Sequence, residues 1–175
     1  MIFIALGANL PGTEGTPRAT LEAAISTLAR EAGEIVARSS FYRSAPVPPS
    51  SQPDYINAVV AIKSSLGPAE LLAVLQRIED RFGRERGEAN AARTLDLDLL
   101  AYDGLVRGDG EGPPALPHPR MQDRAFVLLP LAEIAPDWRH PLLGLTAAEM
   151  AARLPQGQAA ARLTNAPAGP RKTAR

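Results

Sequence analysis

The stretch RTLDLDLLAY, residues 93–102, contributes most to predicting both the fold and the function of this chain. Leucines at the odd positions from 95 to 99 alternate with Asp96 and Asp98, and such a period of two is typical of a half-buried β-strand. Successive side chains of a strand point to opposite faces. We therefore expect the leucines to enter a core and both aspartates to project from the other face.

The paired aspartates have the spacing of a metal site. Along a strand, the Cα atoms of Asp96 and Asp98 would lie about 6.5 Å apart. Both carboxylates would then reach one divalent cation, or two cations about 3.5–4 Å apart. Aspartate is disfavoured in strands and like charges on one face repel each other, so a bound cation would remove a cost. The alternative is an ordinary edge strand with a solvated acidic face.

The composition describes one domain with a hydrophobic core. The chain has 175 residues, of which 45% are hydrophobic, and it has no cysteine. Disulfides, thiolate metal sites and a cysteine nucleophile are therefore excluded. No apolar run approaches a membrane span, and residues 1–10 lack the basic start of a signal peptide. We expect a cytoplasmic protein with no membrane partner.

The charge of the chain argues against a nucleic-acid-binding protein. The formal net charge is zero, so no overall positive field attracts a nucleic acid. Seventeen basic residues are arginine and two are lysine, a bias that a GC-rich genome would produce without a functional cause. Their position is more informative, because Arg84, Arg86 and Arg93 precede the paired aspartates.

Strand and helix patterns alternate along the chain. Helices are predicted to begin at Pro17, after the capping residue Thr16, and at Pro68. The order strand, helix, strand, strand, helix, strand predicts an α+β, ferredoxin-like βαββαβ sandwich, an antiparallel sheet with helices on one face. The strands are predicted at residues 1–6, 34–43, 55–63 and around Asp96 and Asp98.

Helical additions are predicted after this sandwich. An apolar helical stretch covers residues 124–134, and Thr146 with Glu149 has capping-box spacing for a last short helix. From Pro155 onward the sequence is rich in Ala, Pro, Gly and Arg. We therefore expect a domain at residues 1–154 and a poorly ordered tail at residues 155–175.

The basic residues beside the aspartates indicate a phosphorylated ligand. Phosphate binds both Mg²⁺ and guanidinium groups. The motif GxxxxGK[ST] is absent, so side chains and metal, not a P-loop, would hold the phosphates. His118 lies between two prolines that restrict its direction, and it would bind a phosphate or transfer a proton near pH 7. The alternative is a loop histidine with no role.

Three further residues suggest a pocket for a flat ring. Tyr55 and Phe126 would stack on such a ring from both sides. Asn57 offers a donor and an acceptor side by side, which suits the edge of a heterocycle. The alternative is that both aromatic residues belong to the core. The residues alone thus predict a Mg²⁺-dependent site for a phosphorylated ligand, with a possible aryl pocket.

Six sequence blocks in order resemble the 6-hydroxymethyl-7,8-dihydropterin pyrophosphokinase family of folate biosynthesis. The resemblance covers about residues 2–145 and implies a ferredoxin-like α+β fold. The blocks are IALGANLPG (4–12), SSFYRSAPV (39–47), QPDYINAVV (52–60), QRIEDRFGRER (76–86), RTLDLDLL (93–100) and PHPRMQDRAFVLLPLAEIAPD (117–137).

The resemblance implies an enzyme that transfers pyrophosphate from ATP to 6-hydroxymethyl-7,8-dihydropterin and releases AMP. Two Mg²⁺ ions would bridge the triphosphate, and Asp98 would receive or relay the proton of the attacking hydroxyl. The matching metal ligands are Asp96 and Asp98, and the matching catalytic residues are these two with Arg84 and Arg93. The matching ATP-binding residues are Gln76, Glu79, Arg84, Arg86, Arg93, His118 and Arg124. The matching pterin-binding residues are Ser44, Val47, Tyr55, Asn57 and Phe126.

The chain departs from some family members in one loop. Those members have Trp, Gly and Pro before the second arginine, whereas this chain has Asn90, Ala91 and Ala92. Because that loop closes over the substrates in the family, we expect altered substrate affinity or closing kinetics, with activity retained.

Two other functions use the same residues. A two-metal phosphodiesterase would use the aspartates with water as the nucleophile, and a ferredoxin-like module would bind a nucleotide without catalysis. The family resemblance also favours a monomer.

Overall fold

The computed structural model of the chain describes residues 1–84 and 91–164. Arg86 and Asn90 lie outside the described residues, so their predicted roles stay predictions. The strands are β1 (Ile2–Ala8), β2 (Glu34–Arg38), β3 (Tyr42–Ser44), β4 (Tyr55–Lys63), β5 (Asp96–Tyr102) and β6 (Ala160–Arg162). The helices are α1 (Pro17–Glu31), α2 (Pro68–Arg81), α3 (Ala125–Ile134) and α4 (Ala147–Ala152).

The strands form one antiparallel sheet with β1 and β4 at its centre. Its order is β5-β1-β4-β3-β6, and β2 also pairs with β4. All five strand pairs are antiparallel. The two βα units and this strand order confirm the predicted ferredoxin-like α+β sandwich.

Each face of the sheet is buried by different helices. Alternate residues of β1, from Ile2 to Ala8, pack with α1 and α2, with Leu97 and Leu99 of β5 and with Leu95 just before it in one core cluster. The intervening residues Phe3 and Ala5 face α3 and α4 in a second cluster. The predicted alternation of β5 is thus observed. Asp96 and Asp98 lie on the α3 face, at the end of the sheet that the second cluster leaves open.

The helix starts follow the capping signals of the sequence. The Thr16 hydroxyl accepts a hydrogen bond from the Ala19 N–H at 3.2 Å, and Pro17 is the first residue of α1. Thr146 and Glu149 form the predicted reciprocal capping box, with bonds of 3.1 and 2.7 Å. These bonds satisfy N–H groups that have no partner within a helix.

The single strand predicted at residues 34–43 is two strands in the structure. β2 pairs with the C-terminal half of β4 and β3 with its N-terminal half. Between them, the Ser39 hydroxyl accepts a hydrogen bond from the Val59 N–H at 3.0 Å. The β2–β4 register also shifts between Ile35 and Ala37. A side chain that bonds the neighbouring strand and a local bulge leave no mark in the hydrophobic pattern.

The predicted poorly ordered tail from residue 155 is wrong for residues 160–162, which form β6 against β3. The apolar pattern gave no signal because polar groups and backbone hold this edge strand. Arg162 donates to the Ser40 hydroxyl at 2.8 Å and pairs with Glu133 of α3 at 3.0 Å. The fold therefore extends past the predicted limit at residue 154. Residues 165–175 lie outside the described residues.

Within the described part of the chain, each helix is too short or too polar to cross a membrane.

Candidate active site

The two aspartates of β5 face one cavity. Asp98 pairs with Ala5 of β1, and Asp96 pairs with Gly7. Their side chains keep 33% and 23% of their surface exposed, so both are accessible to a ligand yet partly withdrawn from water. Burial, and next to it the charge of Asp96, raises the pKa of Asp98. The contribution of Asp96, which is smaller than that of burial, is the like-charge cost that the sequence predicted for the pair.

Small residues of β1 form the floor of the cavity. Ala5 and Gly7 line it between the aspartates of β5 and the polar end of β4. A Cβ atom at Gly7 would lie 3.3 Å from Oδ1 of Asn57 and 3.9 Å from Cδ1 of Tyr55. A side chain there would occupy the space above the sheet. Sequence reasoning missed Gly7, although a glycine inside a strand signals the close approach of another group.

Two arginines pair with Asp96. The Arg93 guanidinium lies 2.7 Å from Asp96 Oδ1, and that of Arg84 lies 2.9 Å from the same atom. Arg84 also pairs with Glu79. The predicted catalytic arginines are therefore both at the metal-competent carboxylates, held there by ion pairs.

Glu79 is buried beside the cavity, and its contact with the nucleotide stays a prediction. It is 3% exposed and does not line the cavity. Its carboxylate accepts a hydrogen bond from the Leu97 N–H at 2.7 Å and pairs with Arg84. Burial raises its pKa to about 7 against these two stabilising contacts. Glu79 therefore positions Arg84 and β5 and makes no open contact with the cavity.

Asn9 fixes the backbone of Arg93. Its Oδ1 accepts a hydrogen bond from the Arg93 N–H at 2.8 Å, and its own N–H donates to the Arg93 carbonyl at 3.0 Å. Its Nδ2 donates to Gln52 Oε1 and to the Pro53 carbonyl, both at 3.1 Å. Asn9 was missed because its partners are distant in sequence, and neither its spacing nor its type gives a signal.

A histidine and an arginine lie on the Asp98 side. His118 Nε2 is 4.0 Å and the Arg124 guanidinium 3.7 Å from Asp98 Oδ2. Burial lowers the pKa of His118, against the attraction of Asp98. Its imidazole is therefore neutral near pH 7 and can donate or accept a hydrogen bond. The structure thus places both residues at the cavity beside Asp98, and their contacts with phosphate stay a prediction.

Arg120 is a further basic residue that the sequence reasoning did not single out. It lines the same cavity as His118 and Arg124. Its positive charge contributes to lowering the pKa of Arg124, after burial, and of His118. The positive charge that lines the cavity therefore exceeds the negative charge of the two aspartates, which suits a polyanion.

The other end of the cavity carries ring-binding groups. Asn57 is 4% exposed and donates a hydrogen bond to the Ser44 hydroxyl at 2.9 Å. The Tyr55 hydroxyl lies 3.5 Å from the Ala91 carbonyl, at the start of the second described segment. The Arg124 guanidinium lies 5.5 Å from the centre of the Phe126 ring. Phe126 thus connects the charged end with the aromatic end.

One cavity therefore brings together most of the predicted site residues. It has a volume of about 880 Å³, part of it open to solvent. Gln76 is exposed on α2 and does not line the cavity. Arg84 does not line it either but pairs with Asp96, which does. Arg86 lies outside the described residues. The predicted residues that line the cavity are Ser44, Val47, Tyr55, Asn57, Arg93, Asp96, Asp98, His118, Arg124 and Phe126.

Relatives with curated names match most of the chain. A 2-amino-4-hydroxy-6-hydroxymethyldihydropteridine pyrophosphokinase of Synechocystis sp. is 50% identical over 142 residues, which cover 79% of this chain and 70% of that protein. The protein of the same name from Haemophilus influenzae is 43% identical over 136 residues, 77% of this chain and 81% of its own length.

A solved structure shows the same fold. The wild-type HPPK-DHPS of Plasmodium falciparum matches 86% of this chain with a TM-score of 0.66 and 13% identity. This chain spans 44% of that longer protein. The model of the family described as 7,8-dihydro-6-hydroxymethylpterin-pyrophosphokinase (HPPK) matches residues 3–136. The chain therefore belongs to the 7,8-dihydro-6-hydroxymethylpterin-pyrophosphokinase family.

Proposed function

We propose that the chain transfers the terminal pyrophosphoryl group of ATP to the hydroxymethyl group of 6-hydroxymethyl-7,8-dihydropterin. The hydroxyl oxygen attacks the β-phosphorus, the bond from that phosphorus to the α–β bridging oxygen breaks, and AMP leaves. The observation that carries this proposal is one cavity with paired carboxylates and arginines at one end and Asn57, Tyr55 and Phe126 at the other. Family membership favours the same reaction.

The uncharged end suits the pterin. Tyr55 and Phe126 offer ring faces for stacking, and the buried Asn57 offers an amide edge held by Ser44. Val47, which is 53% exposed, lies at the rim of the cavity. These groups bind and orient the ring so that its hydroxymethyl group points toward the aspartates, which turns a bimolecular reaction into a positioned one.

The charged end suits the triphosphate. Arg93, Arg120, Arg124 and His118 line it, and guanidinium groups bind phosphate oxygens through paired N–H donors. Arg84, fixed by Glu79 and Asp96, adds a second charge beside Arg93. We assign to Arg84 and Arg93 the stabilisation of the charge that develops on the transferring group and the departing AMP.

The residues present also fit magnesium. Asp96 and Asp98 project from one face of β5 into the cavity, and oxygen is the donor that Mg²⁺ prefers. Among the described residues no cluster of three or more acidic, histidine or cysteine side chains could hold a metal. The two aspartates would therefore share Mg²⁺ with phosphate oxygens and water. When bound, two Mg²⁺ ions would neutralise the triphosphate and acidify the attacking hydroxyl.

Asp98 is the group to which we assign the proton of the attacking hydroxyl. Asp96 has two arginine contacts within 3 Å, at 2.7 and 2.9 Å. The Arg124 guanidinium lies 3.7 Å and the neutral His118 imidazole 4.0 Å from Asp98 Oδ2. Asp98 is therefore the less engaged of the two carboxylates and the one freer to receive or relay a proton.

The rival phosphodiesterase has less support. Two-metal hydrolysis is served by several acidic ligands, yet Asp96 and Asp98 are the only acids among the described residues that line the cavity. A non-catalytic nucleotide-binding module would need no such pair of carboxylates.

A nucleotide product assay tests the proposal. The folded protein is incubated with ATP and Mg²⁺, with and without 6-hydroxymethyl-7,8-dihydropterin. We expect AMP only when the pterin and Mg²⁺ are both present. Hydrolysis of ATP without the pterin would favour the phosphodiesterase, and ATP binding without any product would favour the binding module.

We propose a monomer from the family resemblance, and we propose a cytoplasmic location because ATP is available there. Light scattering coupled to size-exclusion chromatography checks the first, and cell fractionation checks the second.

A further inference from the structure

We infer that Gln158, in the segment that follows α4, is a positioning residue that holds Arg124 and Phe126 at the cavity. Its amide bonds the backbone on both sides of Arg124. Oε1 accepts a hydrogen bond from the Ala125 N–H at 3.0 Å, and Nε2 donates to the Asp123 carbonyl at 2.6 Å. The inference rests on the function proposed above.

Gln158 is needed because Arg124 stands at the start of α3 while its side chain lies at the cavity. Arg124 is the N-cap residue of α3, and its side chain makes no capping hydrogen bond. That side chain instead lies 3.7 Å from Asp98 and over the ring of Phe126. A residue that presents its side chain to the cavity cannot also cap its own helix. The first N–H of α3 therefore needs an acceptor from elsewhere, and Gln158 supplies it.

An amide is the group that suits both bonds. It accepts through its oxygen and donates through its nitrogen at the same time, whereas a carboxylate only accepts and an ammonium only donates. The two bonds link residues 123 and 125 through one planar group. They therefore restrain the backbone of the residue between them, on which the direction of the Arg124 side chain depends.

The segment that carries Gln158 is itself fixed. Two residues further on, β6 begins and pairs with β3. Arg162 at the end of β6 pairs with Glu133 in the last turns of α3, and the Leu163 N–H donates to the Phe41 carbonyl at 2.7 Å. Residues 158–163 thus hold α3 near both of its ends. Gln158 therefore lies in a segment that β6 anchors to the sheet.

The experiment compares Gln158→Ala with the matched control Gln156→Ala. Gln156 is exposed in the same segment, and no hydrogen bond of its side chain is part of this arrangement. The affinity for 6-hydroxymethyl-7,8-dihydropterin is measured by calorimetry and the KM for ATP by AMP release. Both are measured well below the thermal unfolding midpoint of each variant.

We expect Gln158→Ala to weaken pterin binding and to raise the KM for ATP, each about three- to tenfold, the range that a lost capping bond would give. Gln156→Ala should match the wild type. Gln158→Glu keeps the acceptor for Ala125 but loses the donor to Asp123, so its defect should be intermediate.

A Gln158→Ala protein with wild-type ligand binding overturns the inference, even if its thermal midpoint falls, because a purely structural role would lower stability without changing binding in the folded protein. If Gln158→Ala does not fold, ligand binding by Gln158→Glu is compared with that of the wild type and of Gln156→Ala. Wild-type binding by Gln158→Glu then overturns the inference. Failure of the proposed function is distinct, since the wild type itself would then form no pterin-dependent AMP.

Discussion

Gly7 matters because it has no side chain. It lies in β1 between Asp96 of β5 and Asn57 of β4, where a strand normally carries a side chain into the space that the cavity occupies. The cavity thus exists because β1 carries no side chain at this position, and neighbouring strands and loops form its walls. Substitution at this one position should separate ligand binding from folding.

Gly7→Ala should weaken pterin binding with little change in stability. The added Cβ would lie 3.3 Å from Oδ1 of Asn57, and Asn57 is buried and bonded to Ser44, so it has little room to move. Alanine costs less backbone entropy than glycine in a strand, by about 0.5–1 kcal/mol, which offsets the close contact. Calorimetric pterin titration and urea unfolding measure the two effects. Gly104→Ala, at a turn with open space around it, is the control. Unchanged pterin affinity in Gly7→Ala would refute the role of this gap.

Asp96→Asn and Asp98→Asn should both be folded and nearly inactive. Each change removes a charge that the proposed reaction uses, at a cost of at least about 10²-fold in turnover. Asp98→Asn should also be as stable as the wild type or more stable, because burial and Asp96 disfavour its ionised form. AMP formation and thermal unfolding give both results, with Asp137→Asn, an exposed position, as the control. Near-normal turnover in either variant would contradict the assigned role.

At the residue scale, type and spacing predicted several groups that line the cavity from regular strand positions. Asp96, Asp98 and Asn57 followed from strand alternation and from what each side chain can bond. Arg120 and Asn9 did not, because their roles depend on a loop that turns toward the site and on a contact between segments 84 residues apart. Glu79 was assigned to the nucleotide because the sequence cannot show that the end of α2 packs against β5.

At the scale of elements, α3 depends on a small polar cluster at its C-terminal end. Glu133 accepts hydrogen bonds from the Ser40 hydroxyl and the Tyr42 hydroxyl, both at 2.8 Å, and pairs with Arg162 of β6. The cluster joins α3, β3 and β6. Burial disfavours the ionised Glu133, but these bonds and the charge of Arg162 outweigh it and lower its pKa.

Glu133→Gln should change how stability depends on pH. The pKa of Glu133 is lower in the folded state than in the unfolded state. Its contacts therefore stabilise the fold to their full extent at any pH above the unfolded-state pKa of about 4.3. That contribution is lost as the pH falls through the folded pKa. We expect Glu133→Gln to be less stable than the wild type by about 1–2 kcal/mol at pH 7, and the difference to shrink toward pH 3. Urea unfolding across this range measures it.

Glu14→Gln is the control for this experiment. Glu14 is exposed in the turn before α1, so its curve should follow that of the wild type. A difference between Glu133→Gln and wild type that stays constant from pH 7 to pH 3 would mean that the carboxylate of Glu133 does not carry the effect.

The elements themselves were predicted where periodicity and caps agreed. β1, β4, β5 and the starts of α1 and α4 followed from alternation and from capping residues. The division of residues 34–43 into two strands depends on a Ser39 hydroxyl that bonds β4. β6 depends on backbone pairing with β3. Neither contact has a hydrophobic signature.

At the scale of the whole molecule, ligand binding should be visible as stability. A ligand that binds only the folded state adds about 2.7 kcal/mol when present at 100 times its Kd. For a domain of this size that corresponds to about 5–10 °C in the unfolding midpoint. We expect ATP with Mg²⁺ to produce such a shift, and EDTA to remove most of it.

The aspartate variants provide the comparison for that shift. Asp96→Asn and Asp98→Asn should lose the Mg²⁺-dependent part of the ATP effect, whereas Asp137→Asn should keep it. A full shift in both aspartate variants would show that the metal ions bind elsewhere, and differential scanning fluorimetry is sufficient to detect it.

The distance in sequence between β3 and β6 has a consequence for synthesis of the protein. Ser40 and Arg162, which bond each other across this edge, are 122 residues apart. At ordinary translation rates the ribosome needs on the order of ten seconds to make the intervening chain. During that time β3 is an uncovered sheet edge, able to pair with a strand of another nascent chain. Until the last strand arrives, dilution or chaperones would limit such pairing.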